Sequence, residues 1–331
     1  MIITRTPFRV SFFGGGTDYP AWYREHGGAV VAGTIDRYCY ISLRHLPPFF
    51  EHRYRIVYSK IENVREIEEI QHPAIRAVLG VNDCREGLEI HHDGDLPARS
   101  GLGSSSSFTV GLINAVAALR GRYISKGDLA RRAIDIEQNV IGENVGSQDQ
   151  ISAAFGGLNR IDFARDGSFE VAPVVLGSRR LVELEEHLML CFTGFSRIAS
   201  EVALSTIENL AKRGDELRAL RAMVDSAIKM LQDEARPIEE FGELLADGWA
   251  LKRRISDRIS TPEIDGLYDA ARAAGAIGGK LLGAGGGGFL LLFVRPGERE
   301  AVRRTLGSLA QVPFRFESGG SRVVLYHPNG L

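Results

Sequence analysis

Cysteine is scarce in this chain, and the three that occur, Cys39, Cys84 and Cys191, stand far apart with no Cys-x-x-Cys pair. That argues against a disulfide framework and a zinc knuckle, and it fits a reducing cytoplasm. An excess of one charge is missing too: 40 Lys and Arg meet 42 Asp and Glu, a net charge of −2. The basic residues are dispersed, so no footprint for nucleic acid is present. Long apolar runs are absent as well. The longest, "FLLLFV" at 289–294, is far too short to span a bilayer. The opening stretch, "MIITRTPFRVSFFGGG", has Arg5 and Arg9 where a signal peptide needs an apolar core. The expectation is a soluble cytoplasmic protein that binds neither nucleic acid nor membrane.

Apolar residues as a class are plentiful. At 331 residues and 44% hydrophobic, the chain can bury a large core, and its length suggests two domains. Its first part mixes β-branched and aromatic runs with glycine turns, which read as strands. A buried helix follows near 108–119, then a second helix across 125–141 and a glycine-punctuated loop, "GENVGSQDQISAAFGGLNRID". Strand-like segments fill 158–176 and 187–193. Beyond residue 198 the pattern turns to long helices. Leu217, Leu220, Val224, Ile228 and Leu231 form a core stripe, and Pro237 interrupts it. The last part reads as helix, glycine loop, strand, helix and a final strand, "SRVVLYHP". No internal repeat is present. The charged run "LGSRRLVELEEH" sets a boundary near 180–187, giving units 1–185 and 186–331.

Glycine and serine are abundant and unevenly placed. In "LPARSGLGSSSSFTVGLINAVAALRG", 96–121, four serines precede an apolar helix. A flexible linker is the ordinary reading of such a run. Here, however, the serines lead straight into Phe108, Val110, Leu112, Ile113, Ala115, Val116 and Leu119, at helical spacing. They therefore lie at a helix N-terminus, where the first N–H groups lack intrahelical acceptors and the macrodipole is positive. Gly101 and Gly103 allow the backbone to bend around a ligand. The pattern is an anion site suited to phosphate. Two familiar phosphate motifs do not fit. No Lys precedes a hydroxyl residue as a Walker loop requires, and near Lys280 Leu281 stands where the hydroxyl should be. "GAGGGG", 283–288, satisfies G-x-G-x-x-G but opens a strand rather than a helix, against a dinucleotide fingerprint. It is either a tight turn or a place where backbone approaches the serine loop or a ligand closely.

Two further stretches carry chemistry. In "TPFRVSFFGGGTDYP", 6–20, Arg9 is followed by three glycines and then Thr17 and Asp18. Asp after Gly is an ordinary turn signal; a carboxylate in a glycine-cleared pocket would also accept hydrogen bonds from sugar hydroxyls. In "IEQNVIGENVGSQDQISAAFGG", 136–157, Glu137 near a helix end precedes Asp149 by twelve positions. Singly, each is ordinarily a solvated charge. Phosphoryl transfer needs one acid to hold Mg²⁺ and a second to accept the hydroxyl proton.

In this order, "PFRVSFFGGGTDY", "LPARSGLGSSSS" and "KLLGAGGGGFLLLF" resemble the three motifs of the GHMP kinase superfamily, across the whole chain. That superfamily includes galactokinase, homoserine kinase, mevalonate kinase and phosphomevalonate kinase. The resemblance implies an α+β fold with an N-terminal domain like ribosomal protein S5 domain 2 and a ferredoxin-like C-terminal domain. It implies a kinase using ATP and Mg²⁺. The phosphate loop would be Gly101–Ser107, with Pro97, Gly101, Leu102, Gly103, Ser104, Ser105, Ser106 and Ser107 at the nucleotide. Ser104 or Ser105 would lie near Mg²⁺, and Glu137 resembles the family's metal ligand. Asp149 resembles the carboxylate proposed as base, and Arg9 the cation that assists it.

Departures from the family bear on the substrate. Galactokinases carry Glu-His where this chain has Gly15 and Gly16, while Asp18 is retained. A sugar pocket formed by Gly15, Gly16, Thr17 and Asp18 would thus be emptied at one edge. "FFGGGTDYPAWYREHGG", "FTGFSRIASE" and "GGKLLGAGGGGF" resemble bacterial kinases of D-glycero-D-manno-heptose 7-phosphate, which act at the anomeric hydroxyl. That product feeds GDP-heptose formation for capsule, S-layer glycan or lipopolysaccharide. The substrate's own phosphate needs cations. Arg197 is the first candidate and Lys280 the second, with Gly285 and Gly286 also lining the substrate. A homodimer is a candidate assembly. The rivals are another GHMP kinase, galactokinase-like or mevalonate-type, and a sugar sensor without turnover. Asp18 favours a polyol over an isoprenoid precursor, and the complete set Arg9, Ser104, Glu137 and Asp149 argues against a mere sensor.

Overall fold

The computed structural model describes residues 1–194 and 199–328. In chain order the first elements are β1 (Ile2–Phe13), α1 (Pro20–His26), β2 (Gly28–His45), β3 (Tyr54–Val57), β4 (Ile61–Val64), α2 (Pro73–Val81) and β5 (Leu88–Gly94). There follow α3 (Ser104–Leu119), α4 (Lys126–Asp135), α5 (Gln148–Phe155), β6 (Leu158–Phe163), β7 (Phe169–Pro173) and α6 (Ser178–His187). The remainder is β8 (Leu188–Phe192), α7 (Ala199–Leu210), α8 (Gly214–Gln232), α9 (Glu239–Ile255), α10 (Pro262–Ala273), β9 (Ala276–Leu281), β10 (Phe289–Val294), α11 (Arg299–Thr305), β11 (Ala310–Val312) and β12 (Arg322–Tyr326).

Among the described residues the first sheet has eight strands, in the order β12-β1-β2-β5-β3-β4, with β6 on β2 and β7 on β6. The 18-residue β2 serves two neighbours on one side: 28–33 pairs with β6 and 39–45 with β5. α3 packs across β1 and β2, and its residues from Ser106 onward are buried almost throughout, as a core helix requires. The second sheet runs β11-β8-β10-β9, all antiparallel. Counted within that unit the strands lie 4-1-3-2, with helices between the first and second and between the third and fourth. This is the expected ferredoxin-like α+β arrangement. Among the described residues, no helix is long and apolar enough to cross a membrane.

Three sequence expectations change. The last strand, assigned to the second unit, instead pairs with β1 through Ile2–Tyr326 and its neighbours, so the chain returns to the first sheet. Strand pairing across this separation leaves no local signature. "AIGGKL" is strand β9, not loop, so "GAGGGG" joins two strands of a hairpin. Its glycines hid the strand, yet packing demands them: a Cβ at Gly278 would lie 1.9 Å from the Gly242 carbonyl oxygen of α9. Finally, the helix expected over 125–141 is α4 followed by a π-helical turn, 136–141, which ends at Gly142 with φ +79°. Such turns frequently mark functional sites; this one carries Glu137.

The two sheets are joined by aromatic packing. Phe241 of α9 meets Phe12 at 5.6 Å and Phe13 at 5.2 Å on β1, and Phe293 of β10 at 5.9 Å. Removing one such ring costs about 3–5 kcal/mol. The contact holds the β1 end that carries Arg9 and the glycine turn against the second sheet.

Candidate active site

The serine run opens α3, as its placement implied. Gly103 sits at the N-cap with φ +73°, and Gly101 has φ +83°. The first N–H groups of α3 thus point out of the helix as a ready anion cradle. The second glycine-rich segment supports this loop from behind. A Cβ at Gly283 would stand 2.5 Å from the Gly101 Cα, and one at Gly288 only 2.2 Å from the Ser100 carbonyl oxygen. Close backbone approach, rather than a tight turn alone, explains the glycines.

Arg9 and Asp149 meet beside the cradle. Arg9 Nε donates to Asp149 Oδ1 at 2.8 Å and Nη2 to Oδ2 at 2.7 Å, a bidentate pair, while Nη1 donates to the Gly101 carbonyl at 2.6 Å. The Arg9 side chain is 5% exposed and that of Asp149 24%, so of the pair the carboxylate is the one open to solvent. Gly103 is pressed against both: a Cβ there would lie 3.3 Å from Arg9 Cγ and from Asp149 Oδ2. Asp18 lies next along, buried, with Oδ1 accepting from Gly16 N–H at 3.0 Å and Oδ2 from Gln148 Nε2 at 2.9 Å. Burial, and then the charge of Asp149, push its carboxyl above the usual range despite those bonds. Gly15 borders this corner. A Cβ there would come no nearer than 3.9 Å to Gln148 Nε2 and Ser11 Oγ. Ser11 Oγ and Gln148 Oε1 are buried and have no hydrogen-bond partner.

Glu137 lies fully buried on the π-helical turn. Its Oε2 accepts from Ser106 Oγ at 2.9 Å and Gln150 Nε2 at 2.5 Å, while Oε1 has no partner. Burial raises its carboxyl to about 7, against the opposing hydrogen bonds of Gln150 and Ser106. An enclosed carboxylate oxygen without a donor suits a cation. Among the described residues, no group of three or more His, Cys, Asp or Glu could hold a metal. A cation here would therefore rest on Glu137, neighbouring hydroxyls and ligand phosphate oxygens, the hard oxygen set that Mg²⁺ takes.

Several expected residues stand elsewhere. Ser104, expected at the metal with Glu137, instead accepts from the Arg99 N–H at 3.1 Å, and Ser105 is exposed. Ser106 is the serine on Glu137, because two residues of helix rotate it to the buried side. Ser107 donates to the Pro7 carbonyl at 2.9 Å. Leu102 buries its side chain in the core and offers only its carbonyl, which accepts from Arg9 N–H at 3.0 Å; Pro97 is exposed. Thr17 faces no ligand: its buried hydroxyl donates toward the Gly14 and Ala29 carbonyls. Gly285 and Gly286 pack on Ile259, whose carbonyl accepts from Gly286 N–H at 3.0 Å. Lys280 is enclosed, its ammonium on the Phe12 carbonyl at 2.8 Å. Arg197 lies outside the described residues. Sequence reasoning missed Ser11, Gln148, Gln150 and Lys252. The glutamines flank Asp149 in "SQDQ", a signal that was in view, whereas Lys252 reads as an ordinary cation of a helix C-terminus.

Two family profiles match the chain: GHMP kinases N terminal domain over residues 67–157, and GHMP kinases C terminal over 210–310. D-glycero-alpha-D-manno-heptose 7-phosphate kinase of Campylobacter jejuni is 31% identical across 96% of this chain and 97% of its own. Mevalonate kinase of Pyrococcus horikoshii is 30% identical across 72% of this chain and 69% of its own. Among solved structures, a D-glycero-D-manno-heptose 1-phosphate kinase from Bacteroides thetaiotaomicron shares the fold with a TM-score of 0.79, at 24% identity, covering 99% of this chain and 100% of that one. The chain belongs to the GHMP kinases and is a phosphotransferase with an alcohol group as acceptor.

Proposed function

We propose that this kinase uses Mg·ATP to phosphorylate the anomeric hydroxyl of D-glycero-D-manno-heptose 7-phosphate. The product, the 1,7-bisphosphate, would serve GDP-heptose formation for a cell-surface polysaccharide. The observation that carries the sugar reading is the corner at Gly15. There a buried carboxylate, Asp18, stands beside two unpartnered polar atoms, Ser11 Oγ and Gln148 Oε1. Buried polar atoms without partners cost free energy until a ligand supplies them. A polyol brings several hydroxyls, each able to donate and accept, more than an isoprenoid precursor such as mevalonate offers. The full-length similarity to a heptose 7-phosphate kinase supports the choice of sugar.

In this reading the N–H groups opening α3 hold phosphate oxygens, and Asp149 accepts the proton of the attacking hydroxyl. Arg9 holds both carboxylate oxygens from behind, fixing the approach. Glu137 and the Ser106 hydroxyl would hold Mg²⁺, which neutralises phosphate charge when bound. The test is acceptor-dependent ATP consumption with heptose 7-phosphate, galactose and mevalonate, followed by phosphorus NMR of the product. The reading expects the heptose phosphate to be preferred, with a new anomeric phosphate and the 7-phosphate untouched. Preference for mevalonate would overturn it, as would no turnover with any acceptor.

A further inference from the structure

Two lysines beside the Arg9–Asp149 pair have no role in the mechanism so far. Lys252, on the last turn of α9, donates to the Gly283 carbonyl at 2.6 Å. Lys280, on β9, donates to the Phe12 carbonyl at 2.8 Å. Among the described residues neither has a carboxylate within ion-pair distance. The charges that act on Lys252 are Arg9 of β1, Asp18, Asp149 of α5 and, through its effect on Lys280, the neighbouring lysine itself. Asp149 is already bound by Arg9. One buried and one half-buried lysine therefore share a single further carboxylate, Asp18. Unpaired buried charge is costly, and a site that keeps it is commonly completed by an anion.

The two lysines are not equivalent. Lys280 is enclosed, whereas Lys252 is only half-buried. The acceptor of Lys252, Gly283, packs on Gly101, whose own carbonyl takes Arg9 Nη1 at 2.6 Å. Lys252 and Arg9 thus hold two adjoining backbone segments where the glycine-rich hairpin meets the phosphate loop. We infer that Lys252 is a further catalytic residue, whose ammonium contacts the phosphoryl group in transit between nucleotide and acceptor. The acceptor oxygen forms its bond to the γ-phosphorus while the bond from that phosphorus to the β,γ-bridging oxygen breaks. The electron pair leaves with ADP, and the hydroxyl proton passes to Asp149. Charge on the moving group is greatest when it is held by neither partner, which is where a fixed cation helps most. Burial, then the charge of Arg9, lowers the Lys252 ammonium to about 8, in keeping with a cation that lacks its anion.

The inference rests on phosphotransfer at Asp149, not on the identity of the sugar. It is tested on the full chain with Lys252→Met and Lys252→Arg. Lys252→Met should lower kcat about 10²-fold, the scale seen when one transition-state donor is lost, while KM for ATP and acceptor stays within a few-fold. Calorimetry without acceptor separates this from the choice of sugar. With Mg²⁺ present, aluminium fluoride should tighten ADP binding to the wild type and to Lys252→Arg, but not to Lys252→Met. The melting temperature of Lys252→Met should change little, because removing an unpaired charge offsets the lost bond to the Gly283 carbonyl. Unchanged kcat would overturn the inference. So would fluoride-enhanced ADP binding by Lys252→Met, or a loss confined to KM for a phosphorylated acceptor, which would place Lys252 at the acceptor's own phosphate.

Discussion

Replacing Glu137 by Gln should stabilise the cation-free protein above neutral pH while raising the Mg²⁺ concentration needed for turnover. The carboxyl ionises at about 7 in the fold, against an ordinary value of 4.5. An acid raised in this way favours the fold while protonated, and that advantage is lost as pH rises from about 4.5 through about 7. The full loss corresponds to about 3 kcal/mol as an upper bound, most of it between pH 5 and 8. An amide cannot ionise, so the variant should lack this slope. It would still accept from Ser106 and Gln150, but its NH₂ would occupy the place of the unpartnered Oε1, at a cost of about 1–3 kcal/mol. The net gain at pH 8 is therefore small, and the difference between pH 5 and 8 is the decisive quantity. Urea midpoints of both proteins, stripped of divalent cations, measure it; a magnesium titration of turnover measures the other half. Parallel pH dependence in the two proteins, with an unchanged magnesium requirement, would refute the reasoning.

The serines should separate in the order their bonds dictate. Ser106→Ala removes a donor from buried Glu137 and should cost about 1–3 kcal/mol and raise the magnesium requirement. Ser104→Ala loses only an acceptor for the Arg99 N–H and should stay within about 0.5 kcal/mol of wild type; the reverse order in urea melts and magnesium titrations would contradict the assignment. Gly103→Val should abolish measurable turnover in a protein that still folds, since φ is +73° and the new side chain would press on Arg9 and Asp149. Near-normal kcat in that variant, with nucleotide affinity intact by calorimetry, would remove the serine loop from the site.

The parts of the site legible in the sequence are those made by short backbone devices. Glycines and serines before an apolar run give a helix N-terminus wherever the helix packs, so the cradle could be placed without knowing its neighbours. Arg9 and Asp149 were each recognisable within a motif, but only β1 and α5 packing together makes them a pair. Helix phase hid the rest: Ser104 and Ser106 are equivalent letters in a run of four, and rotation decides which meets Glu137. Lys252 sits among Arg253 and Arg254, where basic residues ordinarily oppose the helix dipole. β9 was missed because glycine lowers strand propensity, while the close approach of α9 requires it. The return of β12 to β1 is a pairing across nearly the whole chain, and no local pattern announces it.

The account turns on Asp149 as the group that receives the acceptor's proton. The most direct measurement is acceptor-dependent turnover of Asp149→Asn, with nucleotide affinity measured by calorimetry on the same preparation. Asn keeps the shape and one acceptor for Arg9 but cannot take up the proton. A fall in kcat of at least about 10²-fold is predicted, with nucleotide affinity close to wild type in a protein that still folds, although its melting temperature should drop because Arg9 loses its carboxylate. Turnover within a few-fold of wild type in a folded, nucleotide-binding variant would contradict it.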